Sequence, residues 1–210
     1  MRTLWEIIRG KDKEAGITWF GLLMGIFLAS AVFGFLYETI FYCINDHMLL
    51  RRGSTFLPVI QLYGWGGLLI FLVAYDVRRH PWKVLLNSGV VCGLLEFGTG
   101  YVLHHVYGVR SWDYNTEIWN WGNIGGYVCF RSVVFFAVSG LLLIYGIIPM
   151  LNRLMKRMGR KRFIKVIGVI TAVVMADIIY NDIFANYFHL PKAPEFYAKL
   201  GWPHKETRYN

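Results

Sequence analysis

Residues 17–43 read ITWFGLLMGIFLASAVFGFLYETIFYC, an apolar run that contains one charged side chain, Glu38. Because a helix rises 1.5 Å per residue, about 20 such residues cross the hydrocarbon core of a bilayer. The start of the chain imitates a secretion signal, since Arg2 and Arg9 precede the run and Ala29-Ser30-Ala31 resembles a cleavage site. The run continues well past that site, and we therefore interpret it as an uncleaved first spanning helix.

The composition of the whole chain agrees with this interpretation. Of its 210 residues, 56% are hydrophobic and 17% are charged, whereas a typical soluble domain is about 45–50% apolar and about 25% charged. This composition excludes a secreted disulfide scaffold and a disordered chain. The three cysteines lie in apolar runs without a CxxC pair, so we expect them to behave as small buried hydrophobic residues.

Further apolar windows follow the first one along the chain. We predict an all-α fold, a polytopic transmembrane helical bundle of about five spans, at residues 17–43, 56–76, 84–107, 127–149 and 163–187. This prediction divides the chain into an N-terminal segment 1–16, a single five-helix transmembrane domain 17–187 and a tail 188–210.

The distribution of lysine and arginine predicts the orientation. The positive-inside rule places the N-terminus and the second and fourth connections in the cytoplasm, with the tail outside. The formal net charge of +9 is then mainly a topology signal, and we expect the bacterial cytoplasmic (inner) membrane, with the lipid bilayer and no nucleic acid as a partner. The basic residues on the cytoplasmic side are Arg2, Arg9, Lys11, Lys13, Arg78, Arg79, Lys83, Arg153, Lys156, Arg157, Arg160, Lys161 and Arg162.

Ionisable residues inside the predicted spans are candidates for a site. A charge at the bilayer centre costs about 2.5–3.5 kcal/mol on insertion scales, so each one is a functional hypothesis. With the predicted orientation, all of them fall in the outer half of the membrane, which predicts a polar cavity that opens outward and is lined by all five helices. The alternative is that they only hold helices together. The ionisable residues are Glu38, Glu96, Arg131, Asp177 and Asp182, and the neutral Gln61 represents the second span.

One face of the third span collects small and polar residues at helical spacing. Gly89, Gly93, Glu96, Gly100 and His104 recur at intervals of three or four residues, so they share a stripe. The glycines allow another helix to come close. Glu96 either bonds across that packed interface or belongs to the cavity.

The sequence offers no recognised catalytic or metal-binding pattern. His104 and His105 are adjacent and point about 100° apart on a helix, which is poor geometry for sharing one metal. Ser132 and Ser139 have no base at a useful spacing and no GxSxG elbow. We therefore assign no metal, no cofactor and no catalytic residue, and enzymatic activity is left open without being favoured.

An ordered succession of motifs covers about half of the chain. The motifs are Gly34 with Tyr37-Glu38, Arg52-Gly53, Pro58, Tyr63-Gly64 with Gly66, Glu96, Trp112-Asp113-Tyr114, and Asn123 with Gly126. This succession resembles the bacterial membrane-protein family of type IV ABC-transporter permeases. The family commonly has Gly-Arg after its asparagine, whereas this chain has Gly125-Gly126-Tyr127 and its next basic residue is Arg131. The resemblance implies a transport component and an ATPase subunit as a partner, although the cytoplasmic loops show no clear coupling helix.

The leading hypothesis is a permease component that binds a small molecule or a lipid in the outward-opening cavity. Because five helices are few for a transporter, we also expect a homo-oligomer or a partner membrane subunit. One alternative is an intramembrane enzyme for a lipid or prenyl-linked substrate at the outer leaflet, and another is a structural or regulatory partner protein. The candidate binding residues are Glu38, Glu96 and Arg131 for charge, Asp113, Trp112 and Tyr114 at the rim, and Tyr63, Arg52 and Asn123.

Overall fold

A computed structural model describes residues 13–203 and 208–209, with side chains from residue 19 to residue 203. The described chain is mainly helical with almost no strand, which confirms the predicted all-α class. The first twelve residues, which hold most of the predicted N-terminal segment, lie outside the described part. The helices are α1 Lys13–Asn45, α2 Gln61–Ala74, α3 Pro81–Tyr107, α4 Phe130–Met158, α5 Arg160–Tyr187 and α6 Ala193–Lys199.

Within the described residues, four helical segments are long and apolar enough to cross a membrane. They are Trp19–Asn45, Pro81–Tyr107, Phe130–Met158 and Arg160–Tyr187. Helix α2 has 14 residues and is about 21 Å long, which is shorter than the hydrocarbon core of about 30 Å. The predicted second span, 56–76, is helical only over Gln61–Ala74, and Pro58 disfavours helical geometry in the residue before it, Leu57.

Proline and glycine residues mark the two ends of α3 and an irregular turn within α4. Pro81 is the first residue of α3, where its missing N–H costs nothing. Gly108 ends the helix in the left-handed region with φ of 66°, and its N–H donates to the His104 carbonyl at 3.1 Å. Helix α4 contains a π turn, Leu143–Ile147, shortly before Pro149. Proline has no backbone N–H and so cannot donate a hydrogen bond to the preceding turn.

The chain forms two compact units. In the first, made of residues up to 68 and from 145 to 205, α1 packs against α5 and the end of α4. Phe27, Ala31 and Phe163 are among its core residues. A Cβ at Gly25 would lie 3.2 Å from Leu151, so this glycine lets the α4 side chain approach α1.

The second unit contains residues 69–144, and its main contact is between α3 and the first half of α4. A two-residue strand β1, Val109–Arg110, follows α3 and pairs antiparallel with β2, Arg208–Tyr209. A loop then runs to Cys129, which directly precedes α4, and is called the outer loop after the side of the membrane predicted for it. The single transmembrane domain expected for residues 17–187 stays a prediction.

Candidate functional site

Glu96 lies at the meeting point of three elements of the second unit. Its side chain is on α3 and the residue is only 5% exposed. The Tyr114 hydroxyl lies 2.5 Å from Oε1, and the Ser132 hydroxyl lies 2.7 Å from Oε2. Tyr114 begins a 3-10 turn in the outer loop, and Ser132 belongs to the first turn of α4. A carboxyl group inside an apolar helix is thus held by two hydroxyl groups from different elements.

The glycine stripe of α3 explains why Glu96 reaches α4. A Cβ at Gly89 would lie 3.3 Å from Ala137, and one at Gly93 would lie 3.1 Å from Val133. The absence of these side chains lets the two helices approach closely, and Glu96 follows on the same face. Farther along the stripe, Gly100 makes room for the ring of Trp112, which the loop places over α3.

Arg131 pairs with a residue that the sequence did not single out. Its Nη2 lies 2.7 Å from Oε2 of Glu117, whose side chain is 2% exposed. The Arg131 guanidinium carbon also lies 5.3 Å from the centroid of the Tyr114 ring. Glu117 was missed because it lies in a loop, where a charged residue usually needs no explanation. Ser132 was missed as a partner of Glu96 for a similar reason, because its spacing in sequence does not reveal the contact.

The Trp-Asp-Tyr and Asn-x-x-Gly motifs build a clasp within the outer loop. Oδ1 of Asp113 accepts hydrogen bonds from Arg110 at 2.8 Å and from the Asn115 backbone at 3.0 Å. Asn123 donates to Asn115 at 2.7 Å and accepts from the Gly126 N–H at 2.8 Å. Gly126 has φ of 81°, and a Cβ there would collide with the Asp113 carboxylate. These residues shape the loop that positions Tyr114.

His104 and His105 converge on one oxygen despite their adjacent positions. Nδ1 of His104 lies 2.6 Å and Nε2 of His105 lies 3.0 Å from the Tyr127 hydroxyl. The two rings reach the same atom because they use different nitrogens. No group of three His, Cys, Asp or Glu side chains suited to a metal occurs in the part of the chain that the structure describes.

The remaining predicted site residues lie in the first unit. Arg52 pairs with Glu38 at 2.7 Å, and its guanidinium carbon lies 4.4 Å from the centroid of the Tyr42 ring. Tyr63 of α2 rests directly on Gly34 of α1, where a Cβ would overlap the tyrosine ring. The predicted residues therefore fall into two groups, with Glu38, Arg52 and Tyr63 in one unit and Glu96, Trp112, Asp113, Tyr114, Asn123 and Arg131 in the other.

Asp177 and Asp182 hold the segment before α2 onto α5. The carboxylate of Asp177 accepts the N–H groups of Phe56 at 3.0 Å and Leu57 at 2.6 Å. Asp182 accepts from Gln61 at 2.7 Å. Because backbone N–H groups without partners are costly in an apolar environment, these contacts have a structural role. At these two positions, the contacts support the alternative that the ionisable residues only hold parts of the structure together.

Arg51 is a buried cation that sequence reasoning did not foresee. It is 1% exposed and donates to the carbonyls of Gly53, Thr55 and Phe56. Its guanidinium carbon lies 4.2 Å from the centroid of the Tyr197 ring in α6. Burial lowers the pKa of Arg51 from its usual value, and the neighbouring Tyr197 partly offsets that effect. Arg51 thus ties the C-terminal segment to the connection between α1 and α2.

The apolar helices and their internal ionisable groups define a multi-pass, transporter-like membrane protein. A family model described as "Putative ABC-transporter type IV" matches residues 25–181, and the chain belongs to this family. The match confirms the resemblance and extends beyond the motifs that carried it. Neither the curated proteins nor the solved structures contain a match to the chain.

Proposed function

We propose that the chain is the membrane-embedded component of a transporter and that it binds a small molecule or a lipid around Tyr114. The observation that carries this proposal is the placement of an acidic and a basic residue about one ring. Glu96 lies 2.5 Å from the Tyr114 hydroxyl, and the Arg131 guanidinium carbon lies 5.3 Å from the ring centroid. Ionisable residues within spanning helices commonly mark substrate and ion pathways, which supports the assignment.

The orientation and partners form part of the same proposal. The lysine and arginine distribution places the loop that carries Tyr114 outside a bacterial inner membrane, so the site would open outward. The sequence has no G-x-x-x-x-G-K-[ST] loop for a nucleotide. A separate ATPase subunit would therefore supply energy, as membership of the family suggests. A second copy or another membrane subunit would complete the small set of spanning helices.

Separate Glu96→Gln and Glu38→Gln variants test this proposal, because glutamine keeps the size and removes the ionisable carboxyl group. We expect both to accumulate in the membrane and Glu96→Gln to reduce uptake at least tenfold, with an unchanged lipid profile. Uptake is measured by comparing the metabolites consumed by a host lacking the gene with those consumed by a complemented host. Glu195→Gln, on the exposed face of α6, is the matched control. If Glu96→Gln assembles and transports normally, the proposal is wrong.

The intramembrane enzyme remains a second candidate because of one contact. The Ser132 hydroxyl lies 2.7 Å from the Glu96 carboxyl, a pairing that nucleophilic catalysis can use when the carboxylate acts as a base. Ser132 is only 4% exposed, so a substrate would need the surrounding groups to move. Accumulation of a lipid precursor in both Ser132→Ala and Glu96→Gln hosts would favour this enzyme over the transporter.

A further inference from the structure

The Ser132 hydroxyl makes more contacts to acceptors than one proton can serve. Its oxygen lies 2.7 Å from Oε2 of Glu96 and 2.8 Å from the Cys129 carbonyl. The Cys129 N–H also donates to this oxygen, at 3.2 Å. A serine hydroxyl has a single proton to donate, and a carbonyl and an ionised carboxylate can only accept. Whether all three contacts are satisfied therefore depends on the protonation state of Glu96.

An ionised Glu96 leaves one of these short contacts without a proton. If Ser132 donates to Glu96, its oxygen faces the Cys129 carbonyl oxygen at 2.8 Å with no hydrogen between them. If Ser132 donates to Cys129, the same problem arises at Oε2, at 2.7 Å. A protonated Glu96 removes the conflict, because Oε2–H donates to Ser132 and Ser132 donates to Cys129. Oε1 still accepts from Tyr114.

We propose that Glu96 is a proton-binding site whose state is sensed by Ser132 at the start of α4. In the proton-bound form, hydrogen bonds run from Glu96 through Ser132 to the Cys129 carbonyl. On release, the proton passes from Oε2 to water and the carboxylate gains one negative charge. The Ser132 hydroxyl then rotates to donate to Oε2, and its oxygen and the Cys129 carbonyl oxygen repel each other. That carbonyl keeps its bond from Val133, at 3.1 Å, so the first turn of α4 shifts without unfolding.

The groups around Glu96 let a single proton change the local charge. Cys92 lies one turn earlier on α3, and Tyr114 and Glu117 come from the outer loop. Arg131, on α4, is already paired with Glu117 at 2.7 Å, so this pair adds little net charge. Because the charges of Arg131 and Glu117 cancel, the net charge of Glu96, Arg131 and Glu117 together is set by whether Glu96 holds a proton. The role of this proton rests on the proposed transport function: the proton either is transported together with the ligand or controls the release of the ligand.

Infrared spectroscopy of the full chain in lipid nanodiscs tests the proton site directly. We expect the carbonyl stretch of a buried carboxylic acid at neutral pH, shifted in heavy water and lost at alkaline pH. The band should be absent from Glu96→Gln and present in the Glu195→Gln control. No such band in the wild-type protein, or a band that survives in Glu96→Gln, would overturn the proposal.

A second variant keeps the test decisive if Glu96→Gln does not assemble. Ser132→Ala removes the acceptor of the Glu96 proton, so the carboxylic acid band should move to higher frequency without disappearing. A band at the wild-type frequency in Ser132→Ala would contradict the proposed contact.

The infrared measurement needs no transported molecule, so it separates the two proposals. A Glu96-dependent carboxylic acid band in the wild-type protein, together with normal uptake in Glu96→Gln, would overturn the transport function and leave the proton site standing. Lost uptake in Glu96→Gln, together with no carboxylic acid band in the wild-type protein, would overturn the proton site and leave the transport function standing.

Discussion

Arg51 illustrates how this protein buries a cation beside the membrane. The side chain donates to carbonyls of its own connection, Gly53 and Phe56, at 3.2 Å and 3.1 Å. Its backbone N–H donates to the Pro203 carbonyl at 2.9 Å, and its guanidinium faces the Tyr197 ring. A guanidinium has five N–H donors and an aromatic ring attracts its charge, so one residue can organise two segments of backbone.

We expect Arg51→Met to lower the free energy of unfolding by about 3 kcal/mol, because buried carbonyls lose a charged donor. Thermal unfolding in detergent measures the loss, and limited proteolysis should show faster cleavage between residues 188 and 203. Arg79→Met makes the same chemical change at an exposed position and should leave both measurements unchanged. Equal stability of the two variants would mean that Arg51 does not anchor the tail.

The polar residues of the candidate site divide by what they contact. Asp177 accepts backbone N–H groups and Asp113 completes a loop clasp, so both have local structural tasks. Glu96 instead contacts hydroxyl groups that are themselves able to donate or accept. This difference is why Glu96 is the stronger candidate for reversible chemistry.

At the scale of elements, the contact between α1 and α2 depends on Gly34. A Cβ at this position would overlap the Tyr63 ring, and one at Gly64 would lie 2.6 Å from the Phe27 ring. Glycines on both helices therefore receive an aromatic ring from the partner helix. The motif residues Gly34, Tyr63 and Gly64 owe their positions to this packing.

We expect Gly34→Ala to destabilise the protein by about 1–3 kcal/mol, since the added methyl group must displace a ring. Gly98→Ala is the matched control on α3, because no atom lies within 4 Å of its Cβ position. Its effect should be neutral or stabilising by up to about 1 kcal/mol from helix propensity. Thermal unfolding compares the two variants.

The Tyr63→Ala background provides a further check on this packing. Removing the ring should abolish most of the cost of Gly34→Ala, because the two residues are in contact and their effects should not add. An undiminished cost in that background would contradict the contact as its cause.

At the scale of the whole molecule, the shortness of α2 makes the topology testable. With α2 crossing the membrane, the odd number of spans places the tail outside, as the lysine and arginine distribution predicts. With only the four longer helices crossing, both termini would lie on the same side. With the N-terminus in the cytoplasm, the basic connection between α4 and α5, with Arg157 and Lys161, faces the cytoplasm only if α2 crosses.

Reporter fusions should decide between these arrangements. We expect alkaline phosphatase to be active and a green fluorescent protein to be dark when fused after Trp202, because the tail lies outside. Fusions after Gly159 are the internal control and should give the opposite pair of signals. A fluorescent fusion after Trp202 would show that the predicted orientation of the tail is wrong and, with the N-terminus in the cytoplasm, that α2 does not cross.

Much of the fold follows from local sequence patterns. Long apolar runs specify spanning helices because the bilayer leaves backbone N–H and C=O groups no other partners. Helical periodicity also places Gly89, Gly93 and Glu96 on one face, and the structure shows that this face packs against α4. These features depend only on residues a few positions apart, so the sequence by itself determined them.

The partners of the polar groups were decided by the tertiary structure. Ser132 beside Glu96, Glu117 beside Arg131 and Arg51 beneath α6 join residues that no spacing rule connects. Such contacts exist only after helices and loops have packed, and small residues determine how closely they approach. The long apolar helices and their packed faces therefore follow from the sequence, whereas the contacts of the Ser132 hydroxyl required the folded chain.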